Sequence, residues 1–193
     1  MSPGIFDHPL PHRNLPGGYG GALRILPTMK GVMFNHEPDD YECPFCRLVA
    51  GGGDEHRTQD DVVRRDELAT AFVSPRWWPG NHGHVLVVPN AHHENLYDLP
   101  SRYGHAVHDL VREVAIAVRR TYGCDGTSVR QHNEPAGNQD RWHYHVHVFP
   151  RYTGDNLYFT HPEPDFAPAE QRRPYADKLR GYFGSTAGGA VGR

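Results

Sequence analysis

The sequence has no apolar run near the about 18–20 residues that a helix needs to cross a bilayer. It has no Lys/Arg run, and 20 Lys+Arg against 23 Asp+Glu give a formal net charge of −3. Nothing in that balance suits a duplex phosphate backbone, so no duplex nucleic-acid partner is expected. The first residues lack a charged start followed by an apolar core, so no signal peptide is expected. Cysteine is scarce: Cys43, Cys46 and Cys124 are the full set of three. Three cannot all pair within one chain, and two form Cys-x-x-Cys, which favours metal binding or plain packing over a disulfide and a cytoplasmic setting. No internal repeat is visible.

What is present is a soluble composition, 37% hydrophobic and 22% charged, with 21 Gly and 17 Pro concentrated toward the ends. The expected organisation is a Pro/Gly-rich arm over residues 1–40, a compact domain over 41–153, and an extension over 154–193 with a disordered end. A short helix fits about Cys46 to Ala50, stopped by Gly51-Gly52-Gly53. Leu68 to Ser74 and Gly83 to Pro89 read as strands. Tyr103, Val107, Leu110, Val111, Val114 and Val118 recur at helical spacing, which predicts a long helix over Ser101 to Tyr122 with Ser101 as N-cap and Gly123 as the stop. Strand-like Thr127 to Gln131, a polar loop from His132 to Asp140 and a strand from His143 to Arg151 follow. Another helix fits about Tyr175 to Phe183. Adjacent strands with tight connections and a helix on one face give an α+β class with an antiparallel sheet.

Histidine is abundant, with 15 residues dispersed along the chain. The pattern His143-Tyr144-His145-Val146-His147-Val148-Phe149 concentrates three of them. On a strand, alternate residues share a face, so His143, His145 and His147 would lie together while Tyr144, Val146 and Val148 pack inward. Three titratable imidazoles are an unusual choice for a merely solvated face, where Thr, Lys or Ser would serve. They suit metal binding, proton transfer or nucleophilic attack.

His-x-His-x-His followed by Pro150-Arg151-Tyr152 resembles the signature of the histidine-triad (HIT) superfamily. Cys43-Pro44-Phe45-Cys46-Arg47, Gly83-His84-Val85-Leu86-Val87-Val88-Pro89 with His92 beyond, and Asn133 through Gln139 resemble further segments of the family in the same order. The likeness spans about Glu42 to Tyr152. It implies a sheet of about five strands with one long and one short helix, and irregular extensions at both ends. It implies cleavage of a phosphoanhydride or phosphoramidate at a nucleotide α-phosphate through a covalent nucleotidyl-histidine, with hydrolysis or transfer to follow. His145 matches the nucleophile, His147 a phosphate hydrogen-bond donor and His143 the first triad position. Asn133 and Gln139 match polar groups around the phosphate. Phe72 and Ser74 fall at the nucleoside position, where many relatives carry an acid for the ribose hydroxyls. Asp140 replaces a small hydroxyl residue. In zinc-bearing members the ligands correspond to Cys43, Cys46, His92 and His143, with His93 a rival for His92. The resemblance thus implies a structural zinc, no organic cofactor and a homodimer built on the long helix and an edge strand.

Other readings compete. A nucleotide-binding or scaffolding protein with little catalysis would fit the altered ribose and phosphate loops. A catalytic metal site would need a carboxylate-rich shell that is absent from the pattern. Trp77 and Trp78 suit packing slightly better than base stacking. His132, His105 and His108 lack motif support and read as surface residues, while a strand-lining role suits His84.

Overall fold

The structure, a computed structural model, describes residues 34–187. Most of the expected N-terminal arm, and residues 188–193 of the C-terminal extension, lie outside the described residues. Five strands form one antiparallel sheet: β1 (Val62–Arg65), β2 (Ala69–Val73), β3 (Val85–Pro89), β4 (Gly126–Gln131) and β5 (Val146–Arg151), in the order β1-β2-β3-β5-β4. The helices are α1 (Pro44–Val49), α2 (Ser101–Thr121) and α3 (Ala169–Ala187). β5 returns between β3 and β4, so the loop joining β4 to β5 links the edge strand to its inner neighbour at one end of the sheet.

The two faces of the sheet do different work. Val85, Val87, Val146 and Val148 point to one face, where Val107, Leu110, Val114 and Val118 of α2 and Leu179 and Phe183 of α3 cover them. Phe72, Leu86 and Val88 point to the other, where Phe45 and Leu48 of α1 cover part of it. Both β2 and β3 are buried along their whole length, which explains continuous apolar runs in an antiparallel sheet. The rest of the second face is left open, and the site lies there.

The α2 prediction agrees closely in extent, but its N-cap is Pro100 with no side-chain cap bond, and Ser101 is already the first helical residue. Gly123 (φ 69°) ends it in the left-handed region as read. β1 has no counterpart in the sequence reading, because four residues with two arginines and a bulge give too little alternation.

The triad strand is a correction: pairing begins only at Val146. Pro89, at the end of β3, has no N–H to donate, and Tyr144 N donates instead to the His93 carbonyl (2.6 Å). The ladder therefore stops at Val146, three residues past His143.

The C-terminal extension is a second correction, since a 19-residue helix replaces an irregular segment with a short one. Pro174 marks a boundary in the sequence but lies inside α3. A buried ion pair fixes the preceding turn: Arg172 donates to both oxygens of Asp61 (2.6 and 2.8 Å), each residue 2% exposed. Gly83 (φ 77°) lets α3 approach, because a Cβ there would lie 2.2 Å from the Tyr175 ring.

Candidate active site

The open part of the second face is a cavity of about 660 Å³, within the range that holds small ligands. His145, His147, Ser74 and Gln139 line it, as do His84, His132, Trp78 and four arginines. His143, Asn133 and Phe72 do not. Phe72 packs beneath, its ring 5.4 Å from Phe45. His143 turns away to the cysteines.

His145 is 3% exposed, and its Nδ1 donates to the His143 carbonyl (2.7 Å). That bond places the proton on Nδ1 and leaves Nε2 as a lone pair. Burial lowers this imidazole from 6.5 to about 4, against the hydrogen bond to His143 and the nearby Asp140, so it is neutral at pH 7. His147 sits mid-sheet, in register with Leu86 on β3 and Arg130 on β4. Burial, then His145 and His84, hold it well below 6.5. Its Nδ1 is 3.4 Å from His84 Nε2, and both rings stack on Phe149. His84 is fully buried and lowered to about 3 by that burial first. Its Nδ1 has no partner. The face thus holds a row of neutral imidazoles in contact, ready to pass or accept a proton.

Ser74 closes the β2 end of the cavity. Its hydroxyl accepts from Arg76 N and donates to Arg76 O (both 3.2 Å), so it caps its own turn. Gln139 donates to the Glu94 and Arg141 carbonyls (2.6 and 3.0 Å) and accepts from Glu134 N (2.8 Å). Asn133 accepts from Leu96 N (2.8 Å) and exchanges bonds with Gln131. Both amides are spent on the backbone and side chains that shape the loop. That loop needs the help: Glu134 (φ 60°) and Asn138 (φ 68°) are both in the left-handed region.

A second cluster adjoins the cavity. One ligand atom each from Cys43, Cys46, His92 and His143 lies within 4.8 Å of the others. Sulfur to Nδ1 distances are 3.3 Å for Cys43–His143, 3.3 Å for Cys46–His92 and 3.5 Å for Cys46–His143. Tetrahedral zinc with its usual bond lengths would set sulfur and nitrogen about 3.5 Å apart. Each histidine presents Nδ1 to the sulfurs while an oxygen holds Nε2: the Pro89 carbonyl for His143 (3.0 Å) and Glu37 for His92 (2.9 Å). That orients both lone pairs inward, as metal ligands require. The Cys43 thiol is lowered by its interaction with Cys46 first and then by the histidines, while the Cys46 thiol is raised. His93 instead packs near Tyr103, with Nε2 unpartnered. The donor set therefore fits a closed structural zinc site.

The tryptophans divide the two roles considered for them. Trp77 is 2% exposed and donates to the Ser74 carbonyl (2.7 Å), so it is a plug. Trp78 lines the cavity edge-on to His84 and His147 (5.5 and 6.2 Å). His132, read as a surface residue, also lines the cavity, and its Nδ1 donates to the Gly137 carbonyl (2.6 Å). The sequence reading missed it, and missed Arg57, Arg76, Arg130, Arg141 and the wall formed by Thr160, His161 and Phe166. Of these, only Arg130 carried a signal, two residues outside the loop and on the strand beside the triad.

Comparison with known proteins agrees with this geometry. The HIT domain model matches residues 55–154, just over half of the chain. Protein hit of Bacillus subtilis is 30% identical over 132 residues, which cover 66% of this chain and 86% of that protein. Adenylylsulfatase HINT3 of Arabidopsis thaliana is 25% identical over 117 residues, 61% of this chain and 56% of that one. The fold is similar to a Zn-bound histidine triad family protein from Mycobacterium smegmatis, with TM-score 0.62 and 27% identity over 77% of this chain and 97% of that one. The chain belongs to the HIT family.

Proposed function

We propose that this HIT-family chain is a nucleotide hydrolase or nucleotidyltransferase in which His145 attacks the α-phosphate. One observation carries the reading: the neutral His145 ring is fixed by the His143 carbonyl and lines a cavity walled by imidazoles and guanidinium groups. In the first step His145 Nε2 forms a bond to phosphorus while the phosphoanhydride or phosphoramidate bond breaks, and the leaving group departs with the bonding pair. In the second, water or another acceptor attacks the same phosphorus, the P–N bond breaks, and the imidazole is restored. The tautomer in which His84 Nε2–H donates to His147 Nδ1 leaves His147 Nε2–H as a donor to a phosphoryl oxygen. Arg130 beside it supplies fixed charge for the oxygens in the transition state. The relative that carries the name adenylylsulfatase supports a nucleotide as the substrate class.

Ser74, Phe72, Gln139 and Asn133 act at one remove in this proposal. Ser74 and Phe72 shape the nucleoside side, and the two amides hold the phosphate loop. Cys43, Cys46, His92 and His143 would hold a structural zinc, which supplies cross-linking of the α1, β3 and triad segments rather than reaction chemistry. His143 then positions His145 through its carbonyl. A homodimer would use the outer face of α2 and the free edge of β4, where Val129 is 52% exposed; sizing chromatography reads its mass.

The test is turnover of adenosine 5′-phosphoramidates and dinucleoside polyphosphates by wild type and by His145→Ala. Loss of at least ~10³-fold is expected, as for removal of a covalent nucleophile. A folded variant within about tenfold of wild type would overturn the role of His145. Binding without any turnover by wild type would favour a nucleotide-binding protein instead.

A further inference from the structure

The charged residues lining the cavity are four arginines, Arg57, Arg76, Arg130 and Arg141, and one carboxylate, the exposed Asp140. Among the described residues only Arg57 pairs with a carboxylate, that of Asp54 (2.9 Å). A cavity with this balance repels cations and holds more positive charge than one phosphodiester-like group can neutralise. The cations also fall into two places. Arg130 is the guanidinium whose charge reaches His84 and His147. Arg57 instead feels Arg141: burial lowers Arg57 first, and Arg141 adds to that against Asp54.

Arg76 belongs to the second group. It pairs with Phe166 in an isolated bridge, and Phe166 stacks on His56, the neighbour of Arg57, at 4.0 Å. Packing leaves these guanidinium groups incompletely satisfied. Arg57 is 6% exposed, yet its Nε has no hydrogen-bond partner, and neither has the buried Nε of Arg76. Guanidinium charge without counter-charge is costly to bury, and of the three arginines in this group that line the cavity only Arg57 has a carboxylate, so the space they share favours an anion. Ser74, the residue beside this cluster where an acid would hold ribose hydroxyls, adds no negative charge.

We infer that the cavity takes a substrate with two separate anionic groups, one at the histidines beside Arg130 and a second, phosphate-like, at Arg57, Arg76 and Arg141. This rests on the nucleotide reading and narrows its substrate class. The second phosphate has two possible sources. It could continue the chain beyond the attacked phosphorus, or it could be carried on the ribose.

Three ligands separate these sources by calorimetry on the full chain: AMP, ADP and adenosine 3′,5′-bisphosphate. The last two are isomers that differ in where the second phosphate sits, and the bisphosphate, with two monoester groups, ionises further than ADP, so the arginine variants below serve as the control for charge. Wild type should bind at least one isomer about 10- to 100-fold more tightly than AMP, the worth of one hydrogen bond between charged groups. The isomer that gains identifies the source. Arg76→Gln and Arg141→Gln, both at half-buried positions, should each cut that gain several-fold while moving AMP affinity little. Binding of both isomers within about threefold of AMP would overturn the inference. So would failure of all three to bind, or a gain that survives both substitutions.

Turnover of adenosine 5′-phosphoramidate by the same samples separates the two claims. Turnover without an isomer gain refutes the second anion site and leaves the nucleotidyl-transfer reading standing. A gain without turnover does the reverse.

Discussion

At His145, burial lowers the ring to about 4 against the bond from Nδ1 to the His143 carbonyl, which acts the other way. Burial wins, so Nε2 is unprotonated at neutral pH, and the bond fixes which nitrogen carries the proton. The acid limb of kcat/KM should therefore fall with an apparent pKa of about 4, well under the about 6.5 of a free imidazole. A limb at 6.5 or above in a pH–rate profile would contradict this. The same residues show what a sequence can reveal. The spacing of His143, His145 and His147 made the chemistry legible, and their grouping with Cys43, Cys46 and His92 followed from the resemblance. The resemblance also set His143 apart from His145 and His147, but the early end of the ladder at Pro89, beyond which His143 turns toward the cysteines, was not legible. Arg57, Arg76 and Arg141 were illegible for another reason. They come from separate segments, and no local spacing links them.

Among elements, the long helix and the two central strands were readable because their apolar period is unbroken. α3 was read too short, since Pro174 interrupts the pattern and the force that overrides it is tertiary. That force is the Arg172–Asp61 pair, which docks α3 beside β1 and also takes in the Ala167 carbonyl. Arg172→Met should leave Asp61 buried without its partner and destabilise the chain by about 3–5 kcal/mol. Chemical denaturation measures this, and a change under about 1 kcal/mol would mean that α3 docks through Leu179 and Phe183 alone. The segment between β5 and α3 carries Thr160, His161 and Phe166 into the cavity wall. The C-terminal extension thus contributes to the site as well as to the fold.

For the whole molecule, neutral buried histidines link stability to pH. His84 is near 3 in the folded chain and near 6.5 when exposed, so between these values the unfolded state binds more protons. His147 adds in the same sense. Stability should therefore fall as pH drops from about 6.5 toward 3, and His84→Gln should flatten that fall in thermal melts across the range. The cysteine–histidine cluster joins the α1 segment to the triad segment over about 100 residues of sequence. Native mass spectrometry should find one zinc per chain, and Cys46→Ser should lose it together with thermal stability. A metal-free chain of unchanged melting temperature would remove zinc from the account.

The central claim is the covalent role of His145, and intact-protein mass spectrometry tests it most directly. The chain is incubated briefly with adenosine 5′-phosphoramidates and dinucleoside polyphosphates, then quenched, alongside His145→Ala. The account predicts a nucleotidyl adduct on the wild type, or released nucleotide where the adduct turns over too fast to trap, and neither in the variant. An adduct of the same mass on a folded His145→Ala chain, or turnover that survives the substitution, would contradict it.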